Sequence, residues 1–242
     1  MSTTLLSLAT VLCGADPGDQ GILQDSSYFA NIASNINEAV TAISAGIRMP
    51  NGQISPPLPE LYDSDTVSTD TEAAYKAMPS DYQRNLFMVA DENGHQIYPP
   101  RGGSYYDFAL FLKHASKKDL TQAGSISSVC LKGNNLYYQG IPSAAYDLTV
   151  MFYRAPVDMA LDASMVDGIP DQFATRLIKH YVCKEIFGSD VEDGEDSQGK
   201  GFSYHTARFY EVMQDFVDFI GLPDAVPEYY GSGDFVDLGV VD

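Results

Sequence analysis

The sequence predicts an α+β protein: a helical bundle made from N- and C-terminal helices, with an inserted antiparallel β-module and an extended C-terminal arm. Three observations carry that reading. Apolar residues recur at three- and four-residue steps towards both ends of the chain, the period of a helix that buries one face. From Asp81 the period changes to two, and short strand-like runs alternate with turn signals, the pattern of a compact antiparallel sheet or small barrel. Beyond residue 221 the periodicity stops.

Residues 1–49 hold the first part of the expected bundle. Thr3 to Leu12 reads as a short helix with Leu5, Leu8 and Leu12 on one face, ended by Asp16-Pro17-Gly18. SSYFANIASNINEAVTAISAGIRM is the clearest helix in the chain. Phe29, Ile32, Ala33, Ile36, Val40, Ile43 and Ile47 form its apolar stripe, Ser26 or Ser27 supplies the N-cap, and Pro50-Asn51-Gly52 marks its stop. Residues 50–80 are rich in Pro, Ser, Thr and Asp and are expected as an extended connector. Pro56-Pro57 and Pro59 hold that backbone open, with one helical turn expected near Glu72 to Lys76.

Residues 81–167 are expected as the β-rich module. Tyr82 to Val89 runs into Asp91-Glu92-Asn93-Gly94, whose Asn-Gly pair signals a hairpin. Gln96 to Tyr98 follows, then the breaker Pro99-Pro100-Arg101-Gly102-Gly103, then a strand from Tyr105 to Leu112. Ser125 to Leu131 is expected to pair across Lys132-Gly133-Asn134-Asn135 with Leu136 to Gln139, and Asp147 to Arg154 closes the set before Pro156. Residues 168–221 complete the bundle. Asp171 to Phe187 places Phe173, Leu177, Ile178, Tyr181, Val182 and Ile186 on one face, with Pro170 at its entry. An acidic loop, SDVEDGEDSQGKG, precedes the helix Tyr204 to Ile220, whose stripe is Val212, Met213, Phe216, Val217 and Ile220. Residues 222–242 form the arm. Each terminal helix has one apolar face to bury, so the two ends of the chain are expected to pack together.

Charge narrows the function classes. The net charge is −19, and residues 1–80 carry 9 acids against 2 bases, residues 188–242 carry 13 against 2, while residues 81–187 are nearly balanced. Such a surface repels phosphate backbones and argues against tight nucleic-acid binding. Cys13, Cys130 and Cys183 are odd in number and widely spaced, so they read as buried thiols rather than a disulfide framework or zinc finger. No run of about 18 apolar residues marks a membrane span. The N-terminal apolar stretch lacks a preceding Lys or Arg, so it reads as a helix of the mature protein rather than an export signal, in a protein made and used from the cytosol.

Catalytic and cofactor motifs are missing. The chain has no G-x-S-x-G, no H-E-x-x-H and no P-loop. His180, Cys183 and His205 could meet between two helices, but a fourth ligand is lacking, and Cys183 beside the stripe with His180 on the polar flank is the better reading. The acids around Gly194 miss the alternating register of a calcium loop and read as a solvated connection. Tyrosines such as Tyr105 and Tyr153 fall at alternating strand positions, where packing explains them without a carbohydrate platform. No catalytic, cofactor or metal residue is assigned, and the expectation is a structural protein.

The order of parts resembles the head–tail adaptor (connector) proteins of tailed bacteriophages, including the tail tubular protein A type. PSDYQRNLFMVADENGHQIYPPRGGSYYDF, YDLTVMFYRAPVDM, GIPDQFATRLIKHYVCKEIFG and YHTARFYEVMQDFVDFIG carry the likeness, over residues 80–221 with a looser match at 26–47. In that family a strand ending in Y-R-x-P precedes a helix opening near P-x-x-F/Y, then an acidic loop and a final helix. The resemblance implies a virion protein of the head–tail junction, assembled in the host cytoplasm. It would form a homo-oligomeric ring, typically of twelve copies, under the portal protein. The ring would extend the channel for genomic double-stranded DNA, without sequence-specific binding, towards DNA ejection, and would present a surface to a tail (nozzle or tube) protein. No membrane or cofactor is implied.

Two further expectations rest on that resemblance. Asp190, Glu192, Asp193, Glu195 and Asp196 are candidates for an acidic channel lining, along which DNA slides without sticking. Tyr229, Tyr230, Phe235, Val236, Leu238 and Val240 are candidates for a portal-docking arm that orders on its neighbour. The competing reading is a carbohydrate- or receptor-binding virion protein of the tail, which would also be β-rich and aromatic.

Overall fold

A computed structural model describes residues 4–13, 26–115, 123–160, 165–188 and 201–221. The described residues fall into two compact units. One holds the residues up to Leu61 together with those from Ala155 onwards, and the other spans Tyr62–Arg154.

The first unit is helical. α1 (Leu5–Cys13) buries Leu5, Leu8 and Ala9, and α2 (Ser26–Ala45) buries Ile32, Ile36, Ala39, Val40 and Ile43. α2 stops earlier than expected. Gly46 adopts φ +107, and its N–H donates to the Ile43 carbonyl, so a glycine in the left-handed region closes the helix before the proline is reached. Pro50-Asn51-Gly52 instead turns a small hairpin, in which Met49 N–H donates to Gln53 O and Ser55 N–H to Ile47 O.

After the second unit the chain returns through Met159. Its N–H donates to Asn37 Oδ1 at 2.9 Å, and Asn37 Nδ2 donates to its carbonyl at 3.5 Å. α4 (Asp171–Gly188) starts on the Pro170 carbonyl, which accepts from Phe173 and Ala174 N–H. It buries Phe173, Ala174, Leu177, Ile178, Val182 and Cys183. α5 (Phe202–Ile220) buries His205, Phe209, Val212, Met213 and Phe216. α1 packs on α2 and α4, α2 on α4, and α4 on α5. Aromatic pairs run in opposite order along the last seam, Phe173 with Phe216 and Tyr181 with Phe209, so α4 and α5 are antiparallel. Just before α4, Gly168 has φ +77, and a Cβ there would lie 2.7 Å from Leu61 Cγ. Both conformation and space demand glycine at that point.

The second unit contains two antiparallel three-stranded sheets, ordered β1-β6-β3 and β2-β5-β4. Their strands are β1 (Tyr62–Ser68), β2 (Tyr75–Ala77), β3 (Tyr82–Ala90), β4 (Val129–Lys132), β5 (Asn135–Tyr138) and β6 (Asp147–Arg154). Inward residues of both sheets share one core, including Val67, Leu86, Val89, Val129, Leu131, Leu136, Tyr138, Leu148, Val150 and Phe152. The two expected hairpin turns are present. At 91–95, Asp91 Oδ1 accepts from Asn93 and His95 N–H, and β4 pairs with β5 across Gly133-Asn134.

Two expectations are corrected. The stretch 50–80 holds β1 and β2 rather than a continuous extended connector with a helical turn at Glu72 to Lys76, and the sheets begin at Tyr62. β1 lies at a sheet edge and buries only Val67, and all three β2 residues are exposed, so neither shows the apolar alternation of a half-buried strand. Tyr105 to Leu112 is no strand. Tyr105 sits in a loop with its hydroxyl donating to Ile97 O, and α3 (Phe108–Ala115) begins at Asp107, whose Oδ1 accepts from Leu110 N–H at 2.9 Å. That carboxylate caps the start of an apolar run whose spacing fits either period.

One side chain closes the inner core to the β1–β2 connection. The fully buried Tyr138 places its hydroxyl to accept from Asp70 N–H at 2.7 Å and donate to Ala73 O at 2.7 Å. Replacing Tyr138 by Phe strands both backbone groups and is expected to cost about 1–3 kcal/mol in urea unfolding; an unchanged midpoint would show that the hydroxyl anchors nothing.

Candidate functional surfaces

The seam between α4 and α5 brings together two of the three residues considered for a metal. His180 Nδ1 lies 3.0 Å from His205 Nδ1, and His205 is 0% exposed. Burial first, then the neighbouring His205, Lys179 and Arg208, push the His180 imidazole down to about 4, with Glu211 opposing them. His180 is therefore partly inside the seam rather than on a polar flank. Among the described residues, no group of three or more His, Cys, Asp or Glu gathers as metal ligands. Sequence reasoning missed His205 and Phe209 as stripe residues, although they continue the spacing of Val212 and Phe216 backwards by four and three.

A groove of about 330 Å³ opens between α2 and α4, lined by Asn35, Glu38, Tyr181, Val182, Glu185 and Ile186. Tyr181 and Ile186, expected in the core stripe, sit at this groove, and Ile186 is 47% exposed. Burial and the charges of Glu185 and Glu38 push the Tyr181 phenol up. Lys184 Nζ lies 4.2 Å from the Tyr181 ring centroid and bonds Glu185. The groove offers carboxylates and a phenol but neither thiol nor imidazole.

In the second unit the outward sheet faces are aromatic. Tyr62, Phe87 and Tyr153 form a cluster on the β1-β6-β3 sheet, with ring centroids 5.4–6.5 Å apart. On the other sheet Tyr75 contacts Tyr137, Tyr137 contacts Phe108, and Lys132 Nζ stands 4.4 Å over the Phe108 ring. Burial and Asp107 push the Cys130 thiol up to about 11, so it stays protonated and poorly nucleophilic at neutral pH. Arg84 and the φ +54 of Asn85 mark a bulge in β3, where the Tyr106 hydroxyl accepts from Leu86 N–H.

The expected acidic lining (Asp190, Glu192, Asp193, Glu195, Asp196) and docking arm (Tyr229, Tyr230, Phe235, Val236, Leu238, Val240) lie outside the described residues. Within them, α5 exposes Glu211, Asp215 and Asp218. No described helix is long and apolar enough to cross a membrane.

The motif order noted in the sequence has a structural counterpart. Tyr153 and Arg154 end β6 just ahead of Pro156, and Pro170 opens α4 with Phe173 buried against α5. The family model described as SU10 adaptor protein matches residues 3–225. No curated protein matches the chain. With every described residue inside that match, the protein belongs to the SU10 adaptor protein family, a family of structural phage head–tail adaptors.

Proposed function

We propose that the protein is a head-to-tail adaptor ring of the virion neck, docked under the portal protein and extending the DNA channel towards a tail nozzle or tube protein. The family match over residues 3–225 carries this reading, because it spans both units rather than one module. It favours the adaptor over a carbohydrate- or receptor-binding tail protein. The ring of twelve copies, the tail tubular protein A type and assembly in the host cytoplasm belong to the proposal.

In this reading α1, α2, α4 and α5 form one bundle drawn from both chain ends, residues 1–49 with 168–221. The aromatic faces of the inserted β-module meet neighbouring copies or the tail protein, since rigid aromatic surface gives contact area at low entropic cost. The acids at 190–196, with Glu211, Asp215 and Asp218 of α5, lie along the lumen. Like charge there keeps the duplex from condensing onto the wall, so that genomic DNA slides during ejection. The arm at 222–242 carries apolar side chains among acids, too few to form a core alone, and orders by laying an extended segment on the portal.

Mixing the purified protein with its cognate portal ring and imaging the product tests the assembly. A closed ring of about twelve adaptors on the portal is expected, and an absence of any portal complex would sink the reading. Deleting residues 223–242 is expected to abolish portal docking while leaving the circular dichroism spectrum of the remaining chain unchanged. Docking at full strength without the arm would remove it from the interface.

A further inference from the structure

Two imidazoles in contact inside a helix seam are constrained by proton count. The His180 and His205 ring centroids are 5.2 Å apart and their Nδ1 atoms 3.0 Å apart. At that distance one nitrogen carries the proton and the other offers a lone pair. A further proton makes one ring an imidazolium inside the seam, and protonating both rings would face two N–H groups and two positive charges at each other. His205 has no exposed surface, and its ring packs on Phe187 at 5.6 Å and Tyr204 at 5.3 Å. An imidazolium there receives little water.

The charged surroundings point the same way. Lys179 on α4 and Arg208 on α5 oppose further positive charge at His180. Among the described residues Glu211 favours it, and Arg208 Nη1 already donates to that carboxylate. α1 and α2 also pack on α4. The sequence of α1 holds no Asp, Glu, Lys, Arg or His, and the one charged residue of α2, Glu38, acts on Tyr181. At the nearby helix ends, a Cβ on Gly188 would lie 2.8 Å from the Phe202 ring, so α4 and α5 are flush there.

We propose that His180 and His205 form a clasp around one proton shared between their Nδ1 atoms, which holds the second half of α4 against the first turns of α5 at neutral pH and loosens when a further proton turns the pair cationic. The closed seam excludes that proton, while the opened seam takes it with the ordinary histidine affinity near pH 6.5. Closed-state stability is therefore full above about 6.5 and is lost as pH falls towards the depressed value of about 4. Ordinary carboxylates stay ionised down to about pH 5, so the window from pH 7.5 to 5 reports the imidazoles. Over that window the opening constant should rise roughly tenfold, the linkage ratio being reduced for water reaching the half-buried His180 ring. This device is independent of the portal reading.

Hydrogen exchange on the full chain, corrected for the intrinsic pH dependence of exchange, measures it. Peptides covering 176–188 and 202–212 should open about tenfold more at pH 5 than at pH 7.5, and the double variant His180→Gln, His205→Phe should show no such rise. Nitrogen-15 correlation spectra of the imidazoles follow the same event in the wild-type chain. One Nδ1 should carry the shared proton at neutral pH, with an imidazolium forming only below about pH 5. Independent titration of both rings near 6.5, flat wild-type exchange, or an equal rise in the double variant would overturn the clasp. Should the double variant fail to fold, the wild-type imidazole titration decides.

Discussion

The β-module depends on one strand pairing. β1 runs antiparallel to β6 in unbroken register, from Tyr62 opposite Tyr153 to Ser68 opposite Asp147. The pairing places the first and last residues of the second unit side by side, so the polypeptide leaves Leu61 and resumes at Ala155 as it would across a hairpin. Closing a long segment costs only slowly growing entropy once its ends are held together, and the ladder of hydrogen bonds between β1 and β6 holds them. The same pairing makes β6 the central strand, with β3 on its other edge. Leu148, Val150 and Phe152 then face the core shared with the second sheet.

In the helical unit the corresponding role falls to contacts between residues far apart in sequence. Asn37 offers its amide to both polar groups of the Met159 backbone, and Leu61 fills the space left by Gly168. These contacts join residues from before the module to residues from after it. A subunit of this kind can present a sheet-rich module through an insertion without leaving either chain half unpacked. That suits a structural adaptor, which works through the surfaces it presents.

The parts of the fold legible in the sequence are those whose burial imposes a period. α2, α4, α5 and β6 each bury a regular subset of positions, and their boundaries fall within a few residues of expectation, apart from the end of α2 at Gly46. The misses share a cause. β1 and β2 are exposed along most of their length, and α3 is a short apolar run whose helical start is set by the Asp107 carboxylate rather than by hydrophobic spacing. His205 was not legible as a core residue because a polar residue type occupies that position of the α5 stripe. The surfaces expected to act, the acidic loop and the arm, have no period of their own; composition can nominate them but says nothing of what they touch.

The central claim is that Tyr62–Arg154 is a self-sufficient insertion, closed by its own terminal strands. Expressing that segment alone and recording its amide correlation spectrum and thermal unfolding tests this most directly. A dispersed spectrum with a single cooperative transition is expected, since the core and the β1–β6 ladder lie wholly inside the segment. A collapsed spectrum without cooperative unfolding would show that the sheets need the helices to fold, and the account of an inserted module would fail.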